Sequence, residues 1–111
     1  PIMIGLMWFI VTMSAWHIVL LGTLSRVQGF LLAVAIVVMF DLILEQFAAG
    51  YSLWAWRGGV IPLFNYLCWA VVAAGSFVLY KYAAPKTKPS IYIAGQLPLM
   101  ALFFWFMLLV K

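Results

Sequence analysis

The two carboxylates of this chain, Asp41 and Glu45, lie four residues apart within a hydrophobic segment. On a helix this spacing puts both on one face, and residues 31–40 before them are all apolar. A carboxyl group at membrane depth is costly, and its presence there indicates a function. We expect Asp41 to lie deep, whereas Glu45, about 6 Å from the end of its helix, can approach the interface.

Aromatic and polar side chains follow the acids closely in the sequence. Trp54 and Trp56 lie in a short connection, and Asn65, Tyr66 and Trp69 open the next apolar segment. On a helix the last three share a face through three- and four-residue spacings. We expect the two segments to be antiparallel neighbours, with Asn65 and Trp69 facing the acids.

These residue types suit acid-catalysed addition of water to an unactivated terminal alkene. That reaction needs a proton donor, a stabilised tertiary cation and a positioned water. Two buried carboxyls four residues apart disfavour double ionisation, so one acid is expected to stay protonated near neutral pH. Asn65 or the second carboxylate would hold the water. Aromatic faces can stabilise the cation, and the candidates are Trp54, Trp56, Tyr66 and Trp69.

Each of these residues also has a plainer structural interpretation. Trp54 and Trp56 are typical of an aromatic belt at a membrane interface. Asn65 is typical of a polar contact that joins membrane helices. Arg57 is either an interfacial cation or the counter-ion of the acids. The sequence leaves these alternatives open.

The composition excludes an ordinary soluble domain. Of the 111 residues, 69% are hydrophobic and only 7% are charged, whereas soluble domains have a charged fraction of about 25%. The mean hydropathy is +1.22. Because a bilayer-spanning helix needs about 20 apolar residues, the sequence predicts an all-α, polytopic membrane bundle formed by residues 1–111 as one domain. The four predicted transmembrane helices are residues 2–24, 29–49, 62–82 and 90–110.

Proline and glycine mark the ends of these predicted helices. Gly50 suits the C-terminus of the second helix, and Pro62 suits the first turn of the third. Gln96 and Pro98 lie near the start of the fourth helix, where the proline predicts a kink.

The six cations are dispersed at segment ends, which favours topology signals over nucleic-acid binding. They are Arg26, Arg57, Lys81, Lys86, Lys88 and Lys111. The first and third connections carry more of this charge than the second connection and the C-terminus. Positive-inside weighting therefore places the acids and the Trp54 connection toward the exterior side.

His17 and Cys68 are two further residues whose surroundings can be predicted from the sequence. His17 is either a neutral imidazole hydrogen-bonded to a neighbouring helix or backbone, or a proton relay or pigment ligand. Cys68, the single cysteine, is expected to be a small buried hydrophobe. No cluster with metal-ligand spacing is visible, so we expect neither a metal nor a cofactor.

The stretch from Asp41 to Trp69 resembles one family pattern in detail. That pattern has an Asp four residues before a Glu, then W-x-W, a Gly-Gly turn, and a Pro followed by Asn-Tyr and Trp. It is the pattern of the integral-membrane carotenoid biosynthesis family, which includes the carotenoid hydratases and the bisanhydrobacterioruberin hydratase. The chain supplies Asp41, Glu45, Trp54, Trp56, Gly58, Gly59, Pro62, Asn65, Tyr66 and Trp69. Its opening resembles the family's V-P-x-x-I-G-x-N-W segment, with Pro1, Gly5 and Trp8 in place.

The resemblance implies a hydratase-like lyase that adds water to a terminal carotenoid double bond. It implies catalytic roles for Asp41, Glu45 and Asn65. The residues that it implies for binding the carotenoid or other polyene lipid are Trp54, Trp56, Tyr66, Trp69 and Trp8. It also implies that the chain corresponds to the C-terminal half of a longer family member in a prokaryotic cytoplasmic membrane.

The chain departs from the family pattern at two positions, and the departure at Met7 favours an alternative function. Gln46 stands where the family usually has Pro, and Met7 stands where it has Asn. The alternative is a non-catalytic subunit that binds carotenoid or chlorophyll and packs against membrane lipids, other membrane subunits or a separate N-terminal half. A proton-coupled carrier that uses Asp41 and His17 is a weaker candidate, because the sequence has no inverted repeat.

Overall fold

A computed structural model describes residues 2–111, and Pro1 lies outside the described residues. The helices are α1 (Ile2–Leu21), α2 (Arg26–Gly50), α3 (Leu63–Ala83), α4 (Ile91–Ala94) and α5 (Gln96–Leu109), with a short 3₁₀ turn at Arg57–Gly59. Four helical segments are long and apolar enough to cross a membrane, and the fourth combines α4 and α5 as Ile91–Leu109. The predicted all-α bundle with four spans is confirmed.

The first connection lies three residues earlier in the chain than the hydropathy pattern suggests. Helix α1 ends at Leu21, and α2 begins at Arg26 instead of Gly29. The earlier start has a local cause: the Ser25 hydroxyl accepts from the Gln28 N–H, and the Gln28 side chain accepts from the Ser25 N–H. This reciprocal capping satisfies two of the free donors at the helix start.

Helix α2 is the centre of the bundle, since it packs against α1, α3 and α5. Its inward face buries Ala33, Val37 and Phe40 almost completely. This core also includes fully buried residues of α1 and α3, namely Val11, Ala15, Ala73 and Phe77. The acids on the last turns of α2 are therefore surrounded by three neighbouring helices.

The end of α2 and the start of α3 fix the chain around the acids. Gly50 is the last residue of α2, as the sequence suggests, and the Tyr51 N–H bonds to the Phe47 carbonyl. The chain then turns through Ser52, whose φ of 54° lies in the left-handed region. Pro62 caps α3 from just outside, because α3 begins at Leu63.

The predicted kink near Pro98 is a break at Gly95 that separates α4 from α5. Pro98 has no N–H, so the carbonyl of Ala94 loses its normal helical donor. The buried Ser14 hydroxyl of α1 donates to this carbonyl at 2.9 Å and accepts from the Leu97 N–H at 3.0 Å. One side chain thus satisfies both backbone groups that the break leaves free.

His17 joins α1 to the start of α4. It is 2% exposed, and its Nδ1 atom accepts a hydrogen bond from the Ser90 N–H at 2.9 Å. An accepting Nδ1 puts the proton of the neutral ring on Nε2. The structure therefore gives His17 the backbone contact that was one of its two expected roles.

Cys68 is exposed, so the expectation of a buried cysteine is wrong. It lies on α3, whose buried residues are Ala73 and Phe77. In a membrane protein an apolar side chain gains little by facing the bundle instead of lipid. The hydrophobic character of Cys68 therefore does not determine its direction.

Candidate acid site in an aromatic cavity

A cavity of about 420 Å³ lies where the N-terminal half of α1, the end of α2 and the start of α3 meet. The connection after α2 contributes Leu53, Trp54 and Trp56 to its wall, and α5 contributes Phe104. The other lining residues are Ile4, Met7, Trp8, Asp41, Leu44, Glu45, Phe47, Asn65 and Trp69. Apolar and aromatic walls with a few polar groups on one side are typical of sites that bind hydrophobic ligands.

Asn65 of α3 lies between the two acids of α2. Its Nδ2 atom donates to Asp41 Oδ2 at 3.0 Å and to Glu45 Oε1 at 3.3 Å. The carboxyl residues are 1% and 4% exposed, respectively. Glu45 is thus nearly as buried within the bundle as Asp41.

Two tryptophans of the connection point their indole N–H groups at Glu45. Trp54 Nε1 and Trp56 Nε1 each donate to Oε2 at 2.9 Å. Glu45 therefore accepts three N–H groups, whereas Asp41 accepts one. Because hydrogen bonds from N–H donors favour the ionised form of a carboxyl group, Glu45 is the better placed anion and Asp41 the better placed acid.

The local backbone explains why both indoles reach the same carboxylate. Trp56 has extended backbone angles, with φ of −92° and ψ of 145°. In extended chain, residues two apart point to the same side. Gly58 and Gly59, both with positive φ, then turn the chain into α3. The W-x-W spacing and the Gly-Gly turn thus act together to bring two N–H donors to Glu45.

Trp8 and Trp69 form one aromatic part of the cavity wall. Their rings stack with centroids 3.7 Å apart and an interplanar angle of 18°. Phe40 meets Trp8 edge-on at 6.0 Å. The stacked pair joins α1 to α3 and presents a broad aromatic surface beside the acids.

The structure places most of the sequence-predicted residues around this one cavity. Trp8, Trp54, Trp56 and Trp69 line it, whereas Tyr66 is half-buried and does not. Arg57 is exposed and is not a hydrogen-bond partner of either acid. The acids instead receive neutral N–H donors.

Phe104 also lines the cavity, although no motif in the sequence singles it out. Phe104 contacts Phe40 and Phe47 of α2. Only the packing of α5 on α2 identifies which of the successive aromatic residues faces inward. For residues 2–111, no group of three metal-ligating side chains occurs that could hold a metal ion.

Comparison with known proteins supports the geometry at the level of the family. No curated protein and no solved structure matches the chain significantly. The family model described as carotenoid biosynthesis protein matches residues 1–111. With four membrane-spanning helices and a match over its whole length, the chain is a membrane protein that belongs to the carotenoid biosynthesis protein family.

Proposed function

We propose that this protein catalyses hydration of a terminal carotenoid double bond, with Asp41 as the general acid. The observation that carries the proposal is the unequal set of hydrogen bonds at the two acids. Glu45 accepts three N–H donors and Asp41 accepts one, at the side of an aromatic cavity. One proton-donating carboxyl beside one anion is what protonation of an alkene followed by water attack requires.

The reaction runs in two steps. Asp41 gives its proton to the less substituted carbon of the double bond, and the π-bond electrons form the new C–H bond. This leaves a tertiary cation on the neighbouring carbon. A water oxygen then forms a C–O bond to the cation, and Glu45 takes the proton that the water loses. Transfer of this proton from Glu45 to Asp41 restores the starting pair.

The surrounding residues favour the cation and restrict water. Trp8 and Trp69 supply aromatic rings to the cavity wall, and the quadrupole of such rings stabilises a cation. Asn65 keeps the two carboxyl groups in fixed positions through one amide nitrogen. The apolar walls exclude bulk water, so the water that attacks is one held beside the acids.

Asp41→Asn tests the proposed acid, because Asn keeps the size and removes the proton. A general acid contributes about 10²- to 10⁴-fold, so hydrated product should fall by at least about 10²-fold while the bundle stays folded. The measurement is the mass of a linear carotenoid incubated with purified protein in liposomes, scored for added water. Gln46→Asn on the exposed face of α2 is the control. A wild-type yield from Asp41→Asn would remove Asp41 as the acid.

The alternative is a non-catalytic subunit that binds pigment, and Met7 favours it. Met7 lines the cavity at a position where the family pattern has a polar Asn. In this case Asp41→Asn and Glu45→Gln would leave the pigment content unchanged. Trp69→Ala would release pigment, because it removes half of the stacked wall.

The same proposal includes a location. We place the protein in a prokaryotic cytoplasmic membrane, with the acid site toward the exterior side. The cations at the opposite end of the bundle, Arg26, Lys86 and Lys88, support this orientation.

A further inference from the structure

We infer that Trp54 and Trp56 act through their indole N–H groups, as positioning residues that hold Glu45 ionised and thereby leave the single proton of the acid pair on Asp41. This role differs from the π-face role that the aromatic character of these residues suggests. The inference deepens the proposed hydration and rests on it for its kinetic test. The state of the carboxyl groups can also be measured without any turnover.

The Oε2 atom of Glu45 has no lone pair left for a proton, whereas Oε1 keeps one for the proton that the attacking water loses. Trp54 and Trp56 both donate to Oε2 at 2.9 Å, and Asn65 donates to Oε1 at 3.3 Å. A carboxylate oxygen has two lone pairs, so two N–H donors occupy both positions on Oε2. A proton on that oxygen would have to displace an indole. The N–H groups therefore favour the anion at Glu45.

Asp41, unlike Glu45, accepts only one hydrogen bond from the described part of the chain. Its Oδ2 atom accepts from Asn65 at 3.0 Å, and its other oxygen accepts no hydrogen bond from residues 2–111. Asp41 is 1% exposed and lines the cavity. When the pair carries one proton, Asp41 can hold it on Oδ1 next to the ligand space, while the three N–H donors at Glu45 stabilise the negative charge there.

Few other groups influence which of the two acids holds the proton. On α3 the titratable neighbour is Tyr66, one residue after Asn65, and it is half-buried. The cavity residues of α1 and α5, Met7, Trp8 and Phe104, are uncharged. Arg57 is exposed, and in residues 2–111 no cation pairs with either acid. The indole and amide N–H groups therefore provide the compensation for the charge on Glu45.

Trp54→Phe and Trp56→Phe separate the N–H from the aromatic face, because Phe keeps a ring and removes the donor. The readout is the pH dependence of the hydration rate. Loss of one donor makes Glu45 easier to protonate, so the acidic limb of the profile should move to higher pH by about one unit. The double variant should move it further. The alkaline limb reports loss of the Asp41 proton beside ionised Glu45, and it should stay in place.

Trp105→Phe is the matched control. It makes the same chemical change away from the cavity, at a residue that is 55% exposed. Its profile should coincide with that of the wild type. A uniform fall in rate across pH for Trp54→Phe and Trp56→Phe, with both limbs unmoved, would overturn the inference and support the π-face role.

Infrared titration of the carboxyl groups tests the inference independently of catalysis. At neutral pH the wild-type pair should show one protonated-carboxyl band and one carboxylate band. Asp41→Asn should remove the protonated-carboxyl band and keep the carboxylate band. The double Trp variant should lose this band at a higher pH than Trp105→Phe does. If the carboxylate band shifts as expected in the Trp variants but no hydrated carotenoid forms, the proposed function fails and the positioning role of the tryptophans stands. A carboxylate band that disappears in Asp41→Asn instead would reverse the assignment and overturn the inference.

Discussion

Ser14→Ala removes both hydrogen bonds with which α1 closes the break between α4 and α5. The hydroxyl donates to the Ala94 carbonyl and accepts from the Leu97 N–H, and the site is fully buried. The substitution removes one oxygen atom and leaves the packing almost unchanged. Its effect should therefore come from the two backbone groups that lose their partner.

The loss of stability depends on whether each of the two backbone groups finds another hydrogen-bond partner after the substitution. The Leu97 N–H can turn back to a carbonyl of the preceding helical turn. The Ala94 carbonyl has no such option, because Pro98 lacks the N–H that would normally reach it. An unmet buried backbone group costs about 1–3 kcal/mol, so Ser14→Ala should lower the free energy of unfolding by about that amount.

The assay is reversible unfolding in mixed micelles, followed by circular dichroism. Ser76→Ala is the control, because its hydroxyl bonds only to the Val72 carbonyl of its own helix; it should change stability by less than about 0.5 kcal/mol. Adding Pro98→Ala to Ser14→Ala restores a donor for Ala94 and should recover part of the loss. Equal stability of the Ser14 and Ser76 variants, or no recovery with Pro98→Ala, would refute the reasoning.

Three other predictions concern the acid site, α4 and the topology. Glu45→Gln should lower the hydration rate by at least about 10²-fold, because Gln cannot take the proton from water; a product yield equal to the wild type would exclude Glu45 as the base. His17→Phe removes the acceptor for the N–H at the start of α4 and should destabilise the bundle by about 1–2 kcal/mol in the same unfolding assay; an unchanged unfolding midpoint would contradict this. Cysteines placed at Lys86 and Arg57 in a Cys68→Ser background should label from opposite sides of intact cells; labelling from one side would overturn the orientation.

The spans and the meeting of the acids with Asn65 are predictable from sequence for a physical reason. Lipid requires long apolar helices, and an eleven-residue connection from Tyr51 to Ile61 makes α2 and α3 antiparallel neighbours. Helical spacing then turns Asp41 and Glu45 toward the same side. These steps need no knowledge of side-chain contacts.

The role of the indole N–H groups is harder to predict, because it depends on the backbone angles of a connection. Ser52 turns the chain through positive φ, and the extended backbone at Trp56 aims its ring back at α2. The spacing of two between Trp54 and Trp56 is the one feature of the sequence that points to a common direction. The bonds of Ser14 are equally hidden, because they depend on how α1 packs against a break seventy or more residues later.

The acid cluster is contained within one helical hairpin, residues 41–69, and this has a consequence for biogenesis. Once α3 has entered the bilayer, the two carboxyls already have Asn65 and the indoles as partners. The unfavourable transfer of carboxyl groups into hydrocarbon is therefore offset before the fourth span has left the ribosome. A nascent chain that ends after Ala83 carries the reactive part of the protein in paired form, whereas the contact of Ser14 with Ala94 must wait until the fourth span has been synthesised.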